Sequence, residues 1–337
     1  MKMNFINFNF VTLNELNFGE FINKERDAEN FILQNNLVNL VPPPCSACES
    51  EMRVEKNRGK PIFRCRKYNC RKSLSPLTGT WLEKARLTKL QALKLVFLFC
   101  CHRPVTQAME IAGVASEAAV NWYKFCRQVC QIVNQNLPFV PIGGLGLTVE
   151  VDETALWRRK YNKGRVLRKQ TQWIFAGICR ETKRVFVVPV RVRGARTLIP
   201  FIQKYVGVPL VGQQRVTIYS DGWPAYSGLG ALGYDHGVVI HKRNYLNPQN
   251  RNVHTQTVER LNRTLKEFLP ATSNADLLDS HIHQFLYFRR LDGLTVGEVF
   301  KNFVSDIVKV HPGCGKIGLR PFVNSYKTPH LYEGYIS

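Results

Sequence analysis

The sequence predicts an α/β domain that follows a small metal-binding module and a helical region. Three observations lead to this prediction: a succession of strand and helix patterns in the second half of the chain, four closely spaced cysteines in the first quarter, and helical patterns between them. With 337 residues, the chain is long enough for about two domains. Its hydrophobic content of 45% is typical of a folding chain and excludes wholesale disorder.

The chain is strongly basic. Lys and Arg number 47 against 25 Asp and Glu, which gives a formal net charge of +22. Such a surplus predicts a polyanionic partner, with nucleic acid as the first candidate and an ordinary basic enzyme as the alternative. No apolar run reaches the ~18 residues of a membrane helix, and the N-terminus lacks a signal-peptide pattern. We therefore expect a soluble intracellular protein with no membrane partner.

The first quarter of the chain predicts a zinc ribbon. Residues 1–40 form an N-terminal helical segment, and a run of prolines separates it from the ribbon at residues 41–75. Four thiolates in two short pairs suit one tetrahedral Zn²⁺, and the chain between the pairs is able to form a hairpin through Asn57-Arg58-Gly59. Buried structural thiols are the alternative. The predicted zinc ligands are Cys45, Cys48, Cys65 and Cys70.

Residues 76–140 predict a helical DNA-binding region. Helical patterns cover Thr88–Cys101 and Thr106–Asn134. Within the second, a short helix reaches Gly113, a turn of small residues follows, and Ser116 is placed to cap another helix. This pattern is typical of a helix-turn-helix unit, with an ordinary helical hairpin as the alternative.

From Gly143 onward the pattern changes, and residues 141–290 predict a catalytic domain. Predicted strands are Leu147–Glu153, Gln172–Arg180, Arg184–Val190, Arg215–Gly222 and Val238–His241, and predicted helices are Ala195–Val206 and Thr255–Leu269. This order matches the ribonuclease-H-like fold, a mixed five-stranded sheet with flanking helices, although a fold alone names no function. Residues 291–337 predict a C-terminal helix, Val296–Val308, and a tail.

Three carboxylates fall where such a sheet brings them together. Asp152 ends the first predicted strand, Asp221 ends the fourth, and Glu259 lies in the first turns of the last helix. The first and fourth strands are neighbours in this fold, so we expect the acids to converge. Clustered acids repel one another unless divalent cations neutralise them, and hard oxygen ligands select Mg or Mn. Two such ions suit phosphodiester chemistry. A solvated charge or helix cap is the alternative for each acid.

Four motifs resemble those of Merlin-type DNA transposon transposases and the related bacterial insertion-sequence transposases. They are Thr148–Glu153, Trp173–Gly177, Ser220–Tyr226, and His254–Arg260 followed by Leu265-Lys266. The resemblance implies a DDE transposase that cuts and pastes DNA with divalent metal. It also implies that Asp152, Asp221 and Glu259 are the three acids, and that Lys266 is the basic residue typical of the last helix.

Further residues are predicted to support this site. His254 is placed to contact the scissile phosphate, with a polar residue at the start of the helix as the alternative. Lys266 lies two turns beyond Glu259 on the same face, where it is placed to contact DNA. Glu153 is expected on the opposite face of the strand from Asp152, as a supporting residue or ion-pair partner.

A basic segment lies between the first two predicted strands of the sheet. We predict a phosphate-tracking hairpin tip there, with a solvated loop as the alternative. Its predicted DNA-binding residues are Arg158, Arg159, Lys160, Lys163, Arg165, Arg168 and Lys169. In a eukaryotic host, the same segment would also suit a nuclear-import signal.

Together these features predict a transposase that binds terminal inverted repeats, cleaves DNA at each transposon end and joins the freed 3′-hydroxyl to target DNA. We expect two catalytic Mg or Mn ions, one structural Zn, and a homodimer or larger synaptic complex. The expected location is the nucleus in a eukaryotic host and the cytoplasm otherwise. The alternatives are a metal-dependent nuclease that cuts without joining, and a domesticated or inactive transposase that acts as a sequence-specific DNA-binding protein.

Overall fold

The computed structural model describes residues 10–156, 171–207, 215–239, 253–272, 274–314 and 318–319. The chain divides into two compact units: Met1–Asn136 with Leu291–Phe322, and Leu137–Arg290 with Val323–Ser337. In the described ranges, no helix combines the length and apolar character required to cross a membrane.

The first unit begins with two short helices and a three-stranded antiparallel sheet. The helices are α1, Phe18–Phe21, and α2, Glu25–Gln34, and the strands are β1, Met52–Asn57, β2, Lys60–Cys65, and β3, Ser73–Leu74. Arg58 and Gly59 join β1 to β2 with φ angles of 50° and 80°, as a two-residue hairpin turn requires. The predicted hairpin is thus confirmed.

Three helices follow in the same unit: α3, Lys89–Cys100, α4, Val105–Ala112, and α5, Ser116–Asn136. Thr88 begins α3 with a capping box to Gln91. Gly113 ends α4 with a φ of 64°, a left-handed conformation that favours glycine. The two predicted helices and their turn are present, but the expected cap is one residue out of place. Ser116 is itself helical, and the first turn closes on the carbonyl of Ala115.

The described residues of the second unit form a mixed five-stranded sheet and three α-helices. In chain order these are β4, Thr148–Ala155, β5, Trp173–Cys179, β6, Val185–Val190, α6, Ala195–Tyr205, β7, Thr217–Asp221, β8, Asp235–Val239, α7, Gln256–Phe268, and α8, Ala275–Arg290. The strand order is β6-β5-β4-β7-β8; the first three strands are antiparallel, and β7 pairs in parallel with both β4 and β8. The first and fourth strands are therefore neighbours, as predicted.

Helices cover both faces of this sheet. Val149 and Val151 of β4 belong to the core on the α6 side, together with Leu198. Val258 of α7 belongs to the other core, together with Ile174 of β5. Because side chains alternate along a strand, Glu150 and Asp152 face the α7 side. On this face, the carboxylate of Glu150 is fully buried, and that of Asp152 is partly exposed near the end of the strand.

Most element boundaries differ from the prediction by only one or two residues, and two of the differences have a physical reason. The strand β4 extends three residues beyond Asp152, because its pairing with β5 continues to Ala155 after its pairing with β7 has ended at Glu150. The strand β8 begins at Asp235, where polar residues and a glycine concealed the strand pattern. The helix α8 was absent from the prediction.

One more helix, α9, Val296–Val310, belongs to the first unit. It confirms the predicted C-terminal helix and begins with a capping box between Thr295 and Glu298. Its Phe300 ring is fully buried against Phe31 and Phe97, with ring centroids 5.6 and 5.3 Å away. The helical core of the first unit is therefore completed by residues from its far end.

Candidate active site and cysteine cluster

The parallel pairing of β4 with β7 brings two of the predicted acids to one edge of the sheet. Glu150 lies opposite Tyr219 in the register, so Asp152 and Asp221 follow at the same level, just beyond the last paired residues. Burial, together with the charges of Glu153 and Asp221, raises the pKa of Asp152 to about 7. Asp221 ends β7, as predicted, whereas Asp152 lies inside β4.

The third predicted acid approaches from helix α7. The Thr255 hydroxyl donates to Oε1 of Glu259 over 3.1 Å. One turn further on, Nδ2 of Asn262 donates to Oδ2 of Asp152 over 2.8 Å. Asn262 is only 5% exposed, and its Oδ1 has no hydrogen-bond partner in the described chain. Asn262 thus ties the helix face that carries Glu259 to the strand that carries Asp152.

A cleft of about 380 Å³ opens between these elements. Among the predicted site residues, Asp152, Glu259 and Lys266 line it. Asp221 is not part of the lining, although its charge acts on the neighbouring carboxyls. The complete lining comprises Asp152, Glu153, Thr154, Ala155, Trp173, Arg193, Glu259, Asn262, Arg263 and Lys266.

Glu153 adds a further carboxyl to the cleft. Its side chain accepts a hydrogen bond from the hydroxyl of Tyr226, which lies in the core on the α6 side. Glu153 and Asp152 therefore point to opposite faces of β4, as predicted. Burial raises the pKa of Glu153 to about 7, although the Tyr226 hydrogen bond and the charge of Arg193 both lower it.

A buried ion pair that the sequence analysis did not predict holds the start of α7. Glu150 is fully buried and accepts hydrogen bonds from the backbone amides of Thr257 and Val258 over 2.8 and 2.9 Å. Nε of Arg180 donates to the same carboxylate over 2.5 Å. The carboxylate therefore satisfies backbone donors that a helix start leaves without partners. It also fixes α7, and with it Glu259, to the sheet.

His254 belongs to this network and is not part of the cleft lining. Its Nδ1 lies 2.9 Å from Nη2 of Arg180, which also donates to the His254 carbonyl. Burial and the charge of Arg180 lower the pKa of His254. This position suits the alternative interpretation, that of a polar residue at the start of the helix.

Seven predicted DNA-binding residues lie outside the described part of the chain: Arg158, Arg159, Lys160, Lys163, Arg165, Arg168 and Lys169. The structure does describe Lys266, the remaining predicted DNA-binding residue. It is exposed on α7 and lines the cleft.

The cleft residues fit a hard divalent cation. Burial and neighbouring carboxylates raise the pKa of Asp152 and Glu153 to about 7, and a bound cation would favour their ionised forms. The unpartnered Oδ1 of Asn262 is an additional oxygen donor at the same place. In the structure, the carboxylate oxygens of Asp152, Asp221 and Glu259 do not all lie within 4.8 Å of one another.

The four predicted zinc ligands do meet that spacing. Their sulfurs all lie within 4.8 Å of one another. Sγ of Cys45 is 3.7 Å from Sγ of Cys70, and Sγ of Cys48 is 3.5 Å from Sγ of Cys65. Four sulfurs around a zinc at ~2.3 Å are about 3.8 Å apart. All four cysteines are free of disulfides, so the donor set fits a tetrahedral zinc.

Residues 143–275 match the family model of the ISXO2-like transposase domain. The match includes Asp152, Asp221, Glu259 and the whole lining of the cleft. It relates this part of the chain to the DDE transposases of insertion sequences. No curated protein matches the chain.

Three solved structures are also similar to parts of the chain. A simian T-cell lymphotropic virus intasome in complex with PP2A regulatory subunit B56 gamma has 18% identity over 57% of this chain and 66% of the matched chain, with a TM-score of 0.27. This chain thus spans slightly less than two thirds of that matched chain.

The other two are integrase catalytic core domains. That of HTLV-2, in complex with magnesium in a dimeric form, has 16% identity over 41% of this chain and 84% of its own, with a TM-score of 0.26. That of BIV has 19% identity over 52% and 90%, with a TM-score of 0.22. TM-scores this low support no conclusion about fold or activity.

Proposed function

We propose that the chain is a DDE transposase of the Merlin type, which binds transposon terminal inverted repeats and catalyses metal-dependent DNA strand cleavage and strand transfer. The observation that carries the proposal is the cleft lined by Asp152 of β4 and by Glu259 and Lys266 of α7. This cleft lies inside the region that is similar to the transposase-domain family. The net charge of +22 supports DNA as the substrate.

In this proposal Asp152, Asp221 and Glu259 would hold two Mg²⁺ or Mn²⁺ ions, with the amide oxygen of Asn262 as a further donor. Such ions would supply positive charge for the attacking and leaving oxygens of the phosphodiester. The hydrogen bond from Asn262 orients the carboxylate of Asp152. Lys266 on α7 contacts the DNA backbone beside the acids and offsets its charge.

DNA recognition is assigned to the first unit. The cysteine cluster holds a structural zinc that fixes the ribbon, and α4 and α5 form a helix-turn-helix. Asn121, Lys124 and Gln128 are exposed along one side of α5, where polar side chains are suited to reading base edges in a major groove. Because two transposon ends have to be processed together, we assign the active form to a homodimer or larger synaptic complex.

The proposal is tested by cleavage and joining of labelled DNA that carries the element's own ends, with Mg²⁺ or Mn²⁺. Wild type is compared with Asp152→Ala, Asp221→Ala and Glu259→Ala. Glu267→Ala is the matched control, because Glu267 is an exposed acid of α7 outside the cleft lining. We expect the first three variants to lose cutting and joining and the control to retain both.

Each other outcome would indicate a different function for this protein. Metal-dependent cutting at the ends without joining would identify a nuclease. Tight binding of the ends without cutting, equal in wild type and variants, would identify a DNA-binding relic and overturn the catalytic part of the proposal.

A further inference from the structure

Two tryptophans hold one arginine at the wall of the cleft. Arg193 lies between β6 and α6, and its guanidinium carbon is 3.8 Å from the ring centroid of Trp173 and 4.8 Å from that of Trp223. The indole Nε1 of Trp223 donates to the Arg193 carbonyl over 2.8 Å. Trp173 at the start of β5 and Trp223 after the end of β7 therefore hold the guanidinium of Arg193, and Trp223 also holds its backbone.

The guanidinium has no acidic partner in the described part of the chain, where no carboxylate oxygen lies within 4.0 Å of its nitrogens. Arg193 nevertheless lines the cleft together with Asp152 and Glu153, and its charge lowers the pKa of Glu153. An arginine held by its flat face against aromatic rings keeps its N–H donors available in the plane of the guanidinium.

The chemistry of the cleft indicates what these donors bind. Arg193, Arg263 and Lys266 line it beside the carboxyls, so a ligand there meets three cationic side chains and, on the proposed function, metal-binding acids. A phosphodiester has two non-bridging oxygens that match the paired donors of a guanidinium. A carboxylate ligand would match the donors equally well, but the basic character of the chain favours a polyanion with phosphates.

We propose that Arg193, held by Trp173 and Trp223, binds the non-bridging oxygens of the DNA phosphodiester in the cleft. The inference rests on the proposed function and names a substrate contact within it. It also explains the tryptophans of two sequence motifs, Trp173 in Trp173–Gly177 and Trp223 in Ser220–Tyr226. Neither side chain is able to act as an acid or a base.

The test combines DNA binding with cleavage. Binding of a labelled duplex carrying one element end is measured at several salt concentrations with Ca²⁺ in place of Mg²⁺, and cleavage is measured with Mg²⁺. The variants are Arg193→Ala and Arg193→Lys. The control is Arg196→Ala, because Arg196 is an exposed arginine of α6 outside the cleft lining. Circular dichroism melting checks that each variant folds.

We expect Arg193→Ala to reduce the salt slope of log K by about 0.9, the loss of one phosphate contact. Cleavage by this variant should fall about a hundredfold, as for loss of one fixed donor at a reacting group. Arg193→Lys should restore the slope, since the charge remains, but only part of the cleavage, because the planar pair of donors is lost. Arg196→Ala should cleave like wild type.

Two results would overturn the inference. The first is an Arg193→Ala variant with wild-type slope and wild-type cleavage. The second is an unchanged slope with a cleavage profile moved to higher pH, which would make Arg193 only a counter-charge that lowers the pKa of Glu153. Failure of wild type to cleave would instead overturn the proposed function, and the salt slopes would still decide whether Arg193 contacts phosphate.

Discussion

Asn262 connects α7 to β4 through one amide group. Its Nδ2 donates to Asp152, while its Oδ1 is buried without a partner in the described chain. A buried oxygen of this kind costs free energy unless a ligand or water satisfies it. At the scale of single residues, this oxygen therefore lowers the stability of the chain by itself, and a cation bound in the cleft would satisfy it.

We predict that Asn262→Leu reduces cleavage more than it reduces stability. The variant removes the hydrogen bond that lowers the pKa of Asp152, so this pKa rises further above about 7. It also removes an unsatisfied oxygen, which offsets the lost hydrogen bond. The pH profile of cleavage should move to higher pH, and the urea midpoint should change little. An unchanged profile with a large loss of stability would show a structural role only.

The raised pKa values of Asp152 and Glu153 also predict how stability depends on pH. Both carboxyls hold protons more tightly in the folded protein than in the unfolded chain, whose ordinary values are 3.8 and 4.5. Their stabilising contribution is complete below those values and is lost as the pH rises to about 7.

With EDTA present, the melting temperature of wild type should therefore fall between about pH 4 and pH 7, relative to Asp152→Asn/Glu153→Gln. Mg²⁺ should reduce this fall, because it stabilises the ionised carboxyls. Parallel curves for the two proteins would contradict the assignment.

At the scale of elements, the start of α7 depends on the buried carboxylate of Glu150. Breaking a buried ion pair from one side costs about 3–5 kcal/mol, because the remaining charge is left uncompensated. We predict a loss of this order for Glu150→Gln, measured by urea unfolding, since the Arg180 side chain is only 17% exposed. Asp235→Asn, an exposed acid of β8, is the control and should change the unfolding free energy little.

If Glu150 acts only through Arg180, Glu150→Leu/Arg180→Met should recover much of the loss. A single variant as stable as wild type would show that the pair does not hold the helix.

The ribbon is the element that we expect to depend on a metal. Its core consists of Met52 and Phe63 with the cysteines, too little apolar surface to fold such a short segment. We predict one equivalent of zinc per chain by elemental mass spectrometry, with loss of that zinc in Cys45→Ser and Cys65→Ser. Cys314→Ser, outside the cluster, should keep it. Equal zinc content in all four proteins would contradict the assignment.

Much of the sheet was predictable, because near-continuous apolar runs mark β5 and β6, and β4 and β7 are strand-like stretches with an acid near the end. The Glu150–Arg180 pair was not, because it depends on register. The two residues are thirty positions apart and meet only because Glu150 lies opposite Ile178 in β5. Asn262 lies one turn after Glu259 and was visible in principle, but a helical asparagine has no distinguishing pattern. Helix α8 was missed because buried His283 and Gln284 interrupt its apolar face.

At the scale of the whole molecule, the proposal requires two chains to act on two ends. We predict that a plasmid with both element ends is cleaved faster than a plasmid with one end, because synapsis brings a second active site into place. Analytical ultracentrifugation with end DNA should show two or more chains per complex. Equal rates on the two plasmids and a single chain per complex would contradict the synaptic requirement.

The return of the chain to its first unit affects how the protein is made. Phe300 of α9 completes the ring cluster around Phe31 and Phe97, so this cluster remains open on the ribosome until residue 300 has been synthesised. The ribbon and the five-stranded sheet have no such delay, since their strands emerge earlier. A gene copy interrupted after residue 290 would therefore still encode every residue of the cleft. Its product would lack Phe300 and leave the rings of Phe31 and Phe97 incompletely covered. Exposed apolar surface of this kind makes a partly folded chain prone to aggregation.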